Sequence, residues 1–380
     1  MEHQRIDMND ALLAQGVPLV LGDVTGQIDT AWQGTIAAFA KNGVPQSKGR
    51  CAGVFPFTPT DPGWLYALAP AERPPAVTAE VPSPPQAQSG AWQFSPAPEV
   101  YGAAVEHAVD QLRSYETPLQ KVVLARALDY RTAAPVDPMA VARRLGQDPH
   151  VTSYALPVPQ IRSGKTADAQ GDMRWLVGAT PELLLDKKGA AVMSHPLAGS
   201  APRSADPVED RRRAEALLVS TKDLAEHRYV VEYIHDILAP YCHNLTTPQT
   251  PALQKTASMW HLGTRISGVL RDADLPCLAL LGKLHPTPAV AGTPLRPALD
   301  LISRLEPEPR GFYAGTVGWL ENERDGTWYV TLRCAMIEGC MARLHAGAGI
   351  VPDSTAAAEI AETQAKFIAM SDALGIDLTH

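Results

Sequence analysis

The 380-residue sequence lacks the features that mark several large classes of protein. It has no excess of basic residues, because 33 lysines and arginines stand against 41 acidic residues, for a net charge of -8. This balance argues against a nucleic-acid binder, since phosphate recognition requires a basic surface. The five cysteines include no Cys-x-x-Cys pair and no zinc-like cluster, and we expect them to be buried thiols in a reducing compartment.

Membrane and export signals are also missing. No stretch approaches the roughly 20 apolar residues that cross a bilayer, and the first residues, MEHQRIDMNDALLAQG, show no charged leader followed by an apolar core. These features predict a cytoplasmic protein without a membrane partner. With 45% hydrophobic residues, the chain has enough apolar material for one large or two ordinary domains.

The chain divides at a segment rich in proline, serine and alanine. Residues 67–97 show no apolar periodicity and predict a surface loop, which separates an N-terminal part, 1–97, from the region 98–380. Strand-like runs occupy 121–130, 175–189, 190–199, 326–339 and 342–351, and helical patterns occupy 100–115, 207–239 and 355–374. Because strands and helices come in blocks, the patterns predict an α+β fold.

The last two strand-like runs predict a hairpin that turns at Gly339 and Cys340. Polar and apolar residues alternate along its first strand, and Arg333 belongs to the polar set. The alternation therefore predicts that Arg333 projects from the polar face of a continuous strand.

Two helical patterns carry closely spaced acidic residues. In AEIAETQAKF, Glu359, Glu362 and Lys366 fall on one helix face, and in TKDLAEHRYVVEYI, Asp223 and Glu226 stand three apart. Two such pairs would suit one divalent cation, and magnesium fits best because it prefers oxygen ligands and retains positions for water and substrate. Two unrelated acidic surface helices would produce the same pattern.

Two further charged residues have two readings each. Lys121 opens the apolar run KVVLAR, where a lysine either extends to water or, when desolvated, acts as a base. Glu182, in GATPELLL, is either a carboxylate at a turn or helix start, or a partly buried acid whose raised pKa keeps it protonated.

Glycine turns and isolated polar residues complete the candidates. The segments HPLAGSAPR and AGAGIV would bring backbone amides near a ligand carboxylate, or form ordinary tight turns. Arg333 is either a carboxylate clamp or a structural ion-pair partner. His261, in WHLGTR, and Tyr313, in RGFYAGTVG, are equally consistent with packing roles.

The order of these motifs resembles that of the chorismate-utilising enzymes, and within that family the isochorismate synthases are the most similar. The resemblance covers residues 98–380 densely, and GVFPFTP near the N-terminus also belongs to it. The motifs that carry it are, in order, KVVLAR, GATPELLL, HPLAGSAPR, KDLAEHRYVVE, HLGTRI, LHPTPAVAG, RGFYAGTVGW, YVTLRCAMIEG, AGAGIV and EIAETQAKF.

The resemblance implies one large chorismate-binding domain with extensive antiparallel sheet, outer helices and a deep site. It implies that magnesium is bound directly by Glu226 and Glu362, and mainly through water by Asp223 and Glu359. Lys366 would reach a substrate carboxylate. The same resemblance makes Lys121 the general base and Glu182 the general acid.

The remaining substrate contacts are likewise implied by the family. Arg333 and Tyr313 would grip the enolpyruvyl carboxylate of chorismate with help from the amides of Gly347 and Gly349. The residues expected around the ring are Gly199, Ser200 and His261.

The resemblance also distinguishes branches of the family. Lysine at position 121 is similar to members that use water as the nucleophile, and Ala289 resembles the isochorismate-forming type. We expect chorismate and isochorismate as ligands, no glutamine amidotransferase subunit, and a monomer. Two alternatives stay open: a salicylate synthase, which adds elimination of pyruvate, and a non-catalytic chorismate-binding protein.

Overall fold

A computed structural model describes residues 18–22, 28–39, 50–61, 63–70, 92–159, 161–162, 165–166, 173–376 and 378. The helices are α1 Pro98–Arg113, α2 Pro138–Leu145, α3 Pro207–Val219, α4 Thr221–Leu238, α5 Cys277–Leu284, α6 Leu295–Leu305 and α7 Ala356–Leu374. The first strands are β1 Pro18–Gly22, β2 Ile28–Phe39, β3 Cys51–Phe55, β4 Gly63–Pro70, β5 Trp92–Ser95, β6 Lys121–Arg131, β7 Thr152–Pro159, β8 Ile161–Arg162 and β9 Lys165–Thr166. The others are β10 Met173–Thr180, β11 Leu183–Lys188, β12 Ala191–His195, β13 Leu197–Pro202, β14 Cys242–Thr246, β15 Ala252–Lys255, β16 Met259–Gly263, β17 Ile266–Leu270, β18 Gly292–Thr293, β19 Thr316–Leu320, β20 Gly326–Val330, β21 Cys334–Glu338 and β22 Met341–Ile350.

One extensive antiparallel sheet dominates the fold. Its strands pair in the order β14, β17, β12, β11, β20, β19, β3, β4, β2, β1, β7, β10, β21, β22, β6 and β5, and β18 also pairs with β6. A smaller sheet has the order β13, β16, β15. The α+β fold class is therefore confirmed, with strands from both ends of the chain in one sheet.

Two strand pairings position the site. β22 pairs with β6 from Met341 opposite Arg131 to Ile350 opposite Val122, so glycines near the end of β22 lie beside the start of β6. In the smaller sheet, Ser200 on β13 lies opposite His261 on β16. Directly opposed residues project from the same face of an antiparallel pair, so each pairing brings two distant segments together.

Helices α4 and α7 flank β13, and capping residues determine where they begin. The predicted single helix over 207–239 is wrong: Ser220 has an extended backbone (φ −68°, ψ 112°) and caps α4 by accepting a hydrogen bond from the amide of Asp223. Thr355 caps α7 by accepting from the amide of Ala358, and Gly375 ends it with φ 74°.

Two other sequence expectations differ from the structure. β4 extends to Pro70 and β5 begins at Trp92, so strands occupy the flanks of the segment 67–97 predicted as a loop. Residues 71–91 of that segment lie outside the described residues. The predicted continuous strand over 326–339 is broken at 331–333, where Arg333 has φ 47°. The alternation therefore does not determine where Arg333 projects.

Short helices α2, α5 and α6 were not predicted, because their 8 to 11 residues do not exceed the shortest window, about 11 residues, over which helical periodicity is read. Across the residues that the structure describes, no helix is both long and apolar enough to span a bilayer.

Candidate active site

A cavity of about 70 Å³ lies among β13, β22, α4 and α7. Twelve of the fifteen predicted site residues line it: Glu182, Gly199, Ser200, Glu226, His261, Ala289, Tyr313, Arg333, Gly347, Gly349, Glu362 and Lys366. The other three lie directly behind this lining. Lys121 pairs with Glu226, Asp223 packs against Gly199, and Glu359 is one helical turn from Glu362.

A larger cavity of about 1040 Å³ adjoins the first and shares Pro181 and Arg333 with it. Exposed residues of the segments 147–150 and 255–257 line its outer part. Of the predicted site residues, only Arg333 also lines the larger cavity. Arg333 therefore stands where the buried site meets a space that reaches the surface.

Lys121 is the first residue of β6, and its side chain is completely buried. Its Nζ lies 2.9 Å from Oε1 of Glu226 on α4. A Cβ atom at Gly349 would lie 2.1 Å from that same Oε1, so only glycine leaves room for the carboxylate beside β22. The buried pair therefore depends on the absence of a side chain at position 349.

Glu182 lies in the break between β10 and β11, where its carbonyl accepts a hydrogen bond from the amide of Val330 (3.0 Å). Its side chain is buried. Burial raises the pKa of Glu182 to about 8, although the nearby ammonium groups of Lys121 and Lys366 act to lower it. At neutral pH this carboxyl group is protonated and can donate a proton.

One ion pair joins α4 to α7, and a second lies within α7. Lys222 Nζ lies 2.6 Å from Oε1 of Glu359, which is fully buried, and Lys366 Nζ lies 2.6 Å from Oε1 of Glu362. The hydroxyl of Ser200 donates to the same Glu362 oxygen at 3.0 Å. Lys366 also donates to the carbonyl of Gly347 (2.9 Å), which connects α7 to β22.

Burial and repulsion between neighbouring carboxylates raise the pKa values of two of these acids. Burial raises the pKa of Glu359, and the neighbouring Glu362 raises it further, whereas Lys222 acts in the opposite direction. Burial also raises the pKa of Asp223, with further contributions from Glu226 and Glu362. Two of the four carboxylates are thus electrostatically disfavoured in their charged form.

The donor chemistry of this cluster fits a divalent cation. Four carboxylates face three lysines, 121, 222 and 366, so the cluster can accommodate additional positive charge, and its donors are the oxygen ligands that magnesium prefers. In the described part of the chain, no three His, Cys, Asp or Glu side chains form a ready metal-binding group. Binding would therefore require carboxylates to exchange their lysine partners for the ion.

Arg333 is a half-buried cation whose position suits an anionic ligand. Burial lowers its pKa to about 10, so it remains charged at neutral pH. Its guanidinium donates to Nε2 of His261 (3.2 Å), and no ion pair to a carboxylate is found for it among the described residues. Burial, together with Arg333 and Lys366, lowers the pKa of His261, so the imidazole remains a neutral acceptor.

Tyr313 completes this end of the cavity. Its ring is buried, and its hydroxyl would lie 2.8 Å from a Cβ atom at Gly347. The next residue, Ala314, has φ 59°, and its amide donates to the carbonyl of Thr331 (2.8 Å). The two non-glycine residues with positive φ in the described chain, Ala314 and Arg333, therefore lie on adjacent segments at the site, where backbone strain is commonly held.

Comparison with known proteins places these features in a family. The model of the family described as "Chorismate binding enzyme" matches residues 75–375. The chain belongs to the chorismate-binding enzymes. It is 43% identical over 283 residues to isochorismate synthase DhbC of Bacillus subtilis, covering 74% of this chain and 69% of that one.

Two solved structures of chorismate-binding enzymes share the fold. DhbC from Bacillus anthracis superposes with a TM-score of 0.81 at 33% identity, covering 94% of this chain and 96% of that one. MenF, the menaquinone-specific isochorismate synthase from Escherichia coli, superposes with a TM-score of 0.73 at 25% identity, covering 97% and 92%. The resemblance stated from the sequence is confirmed.

Sequence reasoning missed polar residues at this candidate site, among them His345 and Lys222. His345 lines the cavity, and strand alternation could have identified it, because it precedes Gly347 and Gly349 at spacings of two and four. Lys222 pairs with Glu359 across two helices. No sequence signal separates Lys222 from an ordinary surface lysine.

Proposed function

We propose that the protein is an isochorismate synthase, which converts chorismate to isochorismate by attack of water at C2 and loss of the C4 hydroxyl. The observation that carries the proposal is an acid and a buried amine at one small cavity: Glu182 lines the cavity, and Lys121 lies directly behind the lining. Glu182 is held protonated by burial, and the amine-bearing Lys121 is close enough to influence it. A reaction that takes a proton from water and delivers one to a leaving hydroxyl needs such a pair.

Lys121 is assigned as the general base. Its burial at the start of β6 removes it from bulk water, and its pairing with Glu226 holds Nζ in one direction. In the neutral form, the amine would accept a proton from the attacking water as the new bond to C2 forms.

Glu182 is assigned as the general acid. Because its pKa is about 8, the carboxyl group holds its proton near neutral pH until a leaving oxygen requires it. Both ring double bonds shift as water adds at C2, and the C4 oxygen departs with the proton from Glu182. The reaction consumes one water molecule and releases one.

Recognition of the enolpyruvyl carboxylate is assigned to Arg333 and Tyr313. The half-buried guanidinium offers donors that can meet a carboxylate in a bidentate arrangement, and the buried phenol can add a third hydrogen bond. The carbonyl of Gly347 faces Lys366 on α7, so the amide of Gly347 also points away from β6 and toward the cavity.

Magnesium is the proposed cofactor, with Glu226 and Glu362 as direct ligands and with Asp223 and Glu359 acting through water. When bound, the ion would neutralise the ring carboxylate of chorismate and compete with Lys121 and Lys366 for the acidic side chains. The lysines keep the carboxylates in place before the ion binds.

Ala289 lines the cavity, and its amide donates to the hydroxyl of Thr287 (3.2 Å). Its methyl group offers no hydroxyl to the ring, and we propose that the reaction stops at isochorismate.

Product analysis tests the proposal. Purified protein with chorismate and magnesium near neutral pH should give a reversible mixture of chorismate and isochorismate by chromatography. A lactate dehydrogenase assay should detect little pyruvate. Salicylate and pyruvate formed at the rate of chorismate loss would identify a salicylate synthase, whereas an unchanged chorismate peak would identify a non-catalytic binding protein.

A further inference from the structure

His345 is a cavity-lining residue with no role in the acid, base or metal assignments above. It lies on β22, two residues before Gly347, and its imidazole stacks on the ring of Tyr313. The ring centroids are 5.2 Å apart, and the two planes are only 13° from parallel. A stacked pair with this spacing lies within the range of attractive aromatic contacts.

The hydroxyl of the stacked Tyr313 ring lies beside β22. Gly347 has no side chain, and the hydroxyl occupies the space beside it, 2.8 Å from the position that a Cβ atom would take. The amide of Tyr313 donates to the carbonyl of Arg310 (3.1 Å), which fixes the backbone from which the ring projects. The imidazole of His345 therefore packs on one face of a ring whose hydroxyl end lies beside a glycine.

The imidazole is uncharged in this position. Burial lowers the pKa of His345 to about 4, and the guanidinium groups of Arg343 and Arg310 lower it further, while Asp129 and Glu308 act in the opposite direction. Both arginines are themselves paired: Arg343 with Asp129 (2.6 Å) and Arg310 with Glu306 (2.8 Å). His345 thus adds no positive charge to the carboxylate end of the site.

We infer that His345 is a positioning residue for ligand binding: its imidazole holds the phenol of Tyr313 so that the hydroxyl meets the carboxylate of an anionic ligand beside Arg333. The inference rests on the proposed function, in which this carboxylate is the enolpyruvyl group of chorismate. The flat ring of His345 provides the positioning, and its nitrogen atoms do not.

Three substitutions at one position separate these contributions. His345→Phe keeps an aromatic ring, whereas His345→Ala and His345→Gln remove it. We expect the Phe variant to stay within about twofold of the parent protein in KM, and the Ala and Gln variants to raise KM by about three- to tenfold with little change in kcat. His243→Ala, at an exposed histidine on β14, is the control.

A double-mutant cycle with Tyr313→Phe supplies a readout that a purely structural role would not change. Removing the hydroxyl should raise KM by about tenfold or more in the parent protein, but by clearly less in the His345→Ala background. Thermal unfolding of every variant shows which ones are folded. If His345→Ala does not fold, His345→Gln replaces it in the cycle.

Additive effects in the cycle would overturn the inference, and so would a Phe variant as impaired as the Ala variant. Failure of the proposed function looks different, because the parent protein itself would then leave chorismate unchanged. In that case, chorismate binding measured by calorimetry across the same variants still tests the coupling between His345 and Tyr313.

Discussion

Lys121 Nζ lies 2.9 Å from Glu226 Oε1, with the lysine side chain fully buried at the start of β6 and the glutamate side chain 11% exposed. The pair joins the large sheet to α4 across 105 residues of sequence, and it places the proposed base next to a proposed metal ligand. Breaking such a pair by removing one partner leaves a buried charge without compensation. Activity and stability are therefore both expected to respond to changes at this point.

Lys121→Ala should lower kcat by about 10²- to 10⁴-fold, because a positioned general base is lost. Chorismate binding should be largely retained, and calorimetry measures this separately from turnover. Lys188→Ala is the matched control, since Lys188 is exposed at the end of β11. A Lys121→Ala protein within twofold of the parent in kcat would exclude Lys121 as the base.

The raised pKa of Glu182 predicts how turnover changes with pH on the alkaline side. Because burial raises its pKa to about 8, the protonated form required of a general acid is lost as the pH rises through about 8. Turnover should therefore fall on that side. Glu182→Gln should lower kcat by about 10²- to 10⁴-fold and remove this alkaline limb from the remaining activity. A profile with an unchanged limb in the Gln variant would assign that titration to another group.

Magnesium dependence follows from the acidic cluster. Glu226→Gln and Glu362→Gln should abolish most turnover and weaken magnesium binding measured by calorimetry, because each removes a charged ligand. Asp223→Asn and Glu359→Gln should be milder, since an amide still accepts a hydrogen bond from bound water. Full activity after exhaustive chelation would show that the metal assignment is wrong.

Gly349→Ala should impair catalysis without a change in any charged group. The new Cβ atom would lie 2.1 Å from Glu226 Oε1 and 3.1 Å from Lys121 Cε, so the buried pair must move. We expect a loss of kcat comparable to that of Lys121→Ala, about 10²-fold or more.

The matched control is Gly102→Ala in α1, where a Cβ atom would meet Ile360 Cδ1 at an ordinary 3.4 Å. Alanine is favoured over glycine inside a helix by about 1 kcal/mol, so this variant should keep full activity and unfold at a slightly higher temperature. Equal activities for the two alanine variants would mean that the space beside Glu226 is not required.

Sequence spacing predicted several site residues, because acidic residues recur at intervals that place them on one face of a helix. Asp223 and Glu226, and likewise Glu359 and Glu362, stand three apart, so a helix places each pair on one face without further information. The apolar run after Lys121 predicts a buried strand, and the structure has that strand over Lys121–Arg131.

Other features escaped prediction because they depend on backbone breaks. Arg333 lies where β20 and β21 separate, and its positive φ cannot be read from a polar and apolar alternation that continues across the break. The break at Ser220 has the same origin: the side chain of a serine can cap a new helix as readily as it can sit within one.

By itself, the sequence determined the residue types, their order along the chain and their placement within single helices and strands. Tertiary structure decided which of them meet: Lys222 with Glu359 across 137 residues, and Tyr313 with His345 as a stacked pair. It also decided that Glu182 is buried and therefore protonated at neutral pH. Sheet register and helix packing determine these contacts, and burial determines the free-energy cost of ionising a side chain. The spacing of residues along the sequence specifies neither the contacts nor the burial.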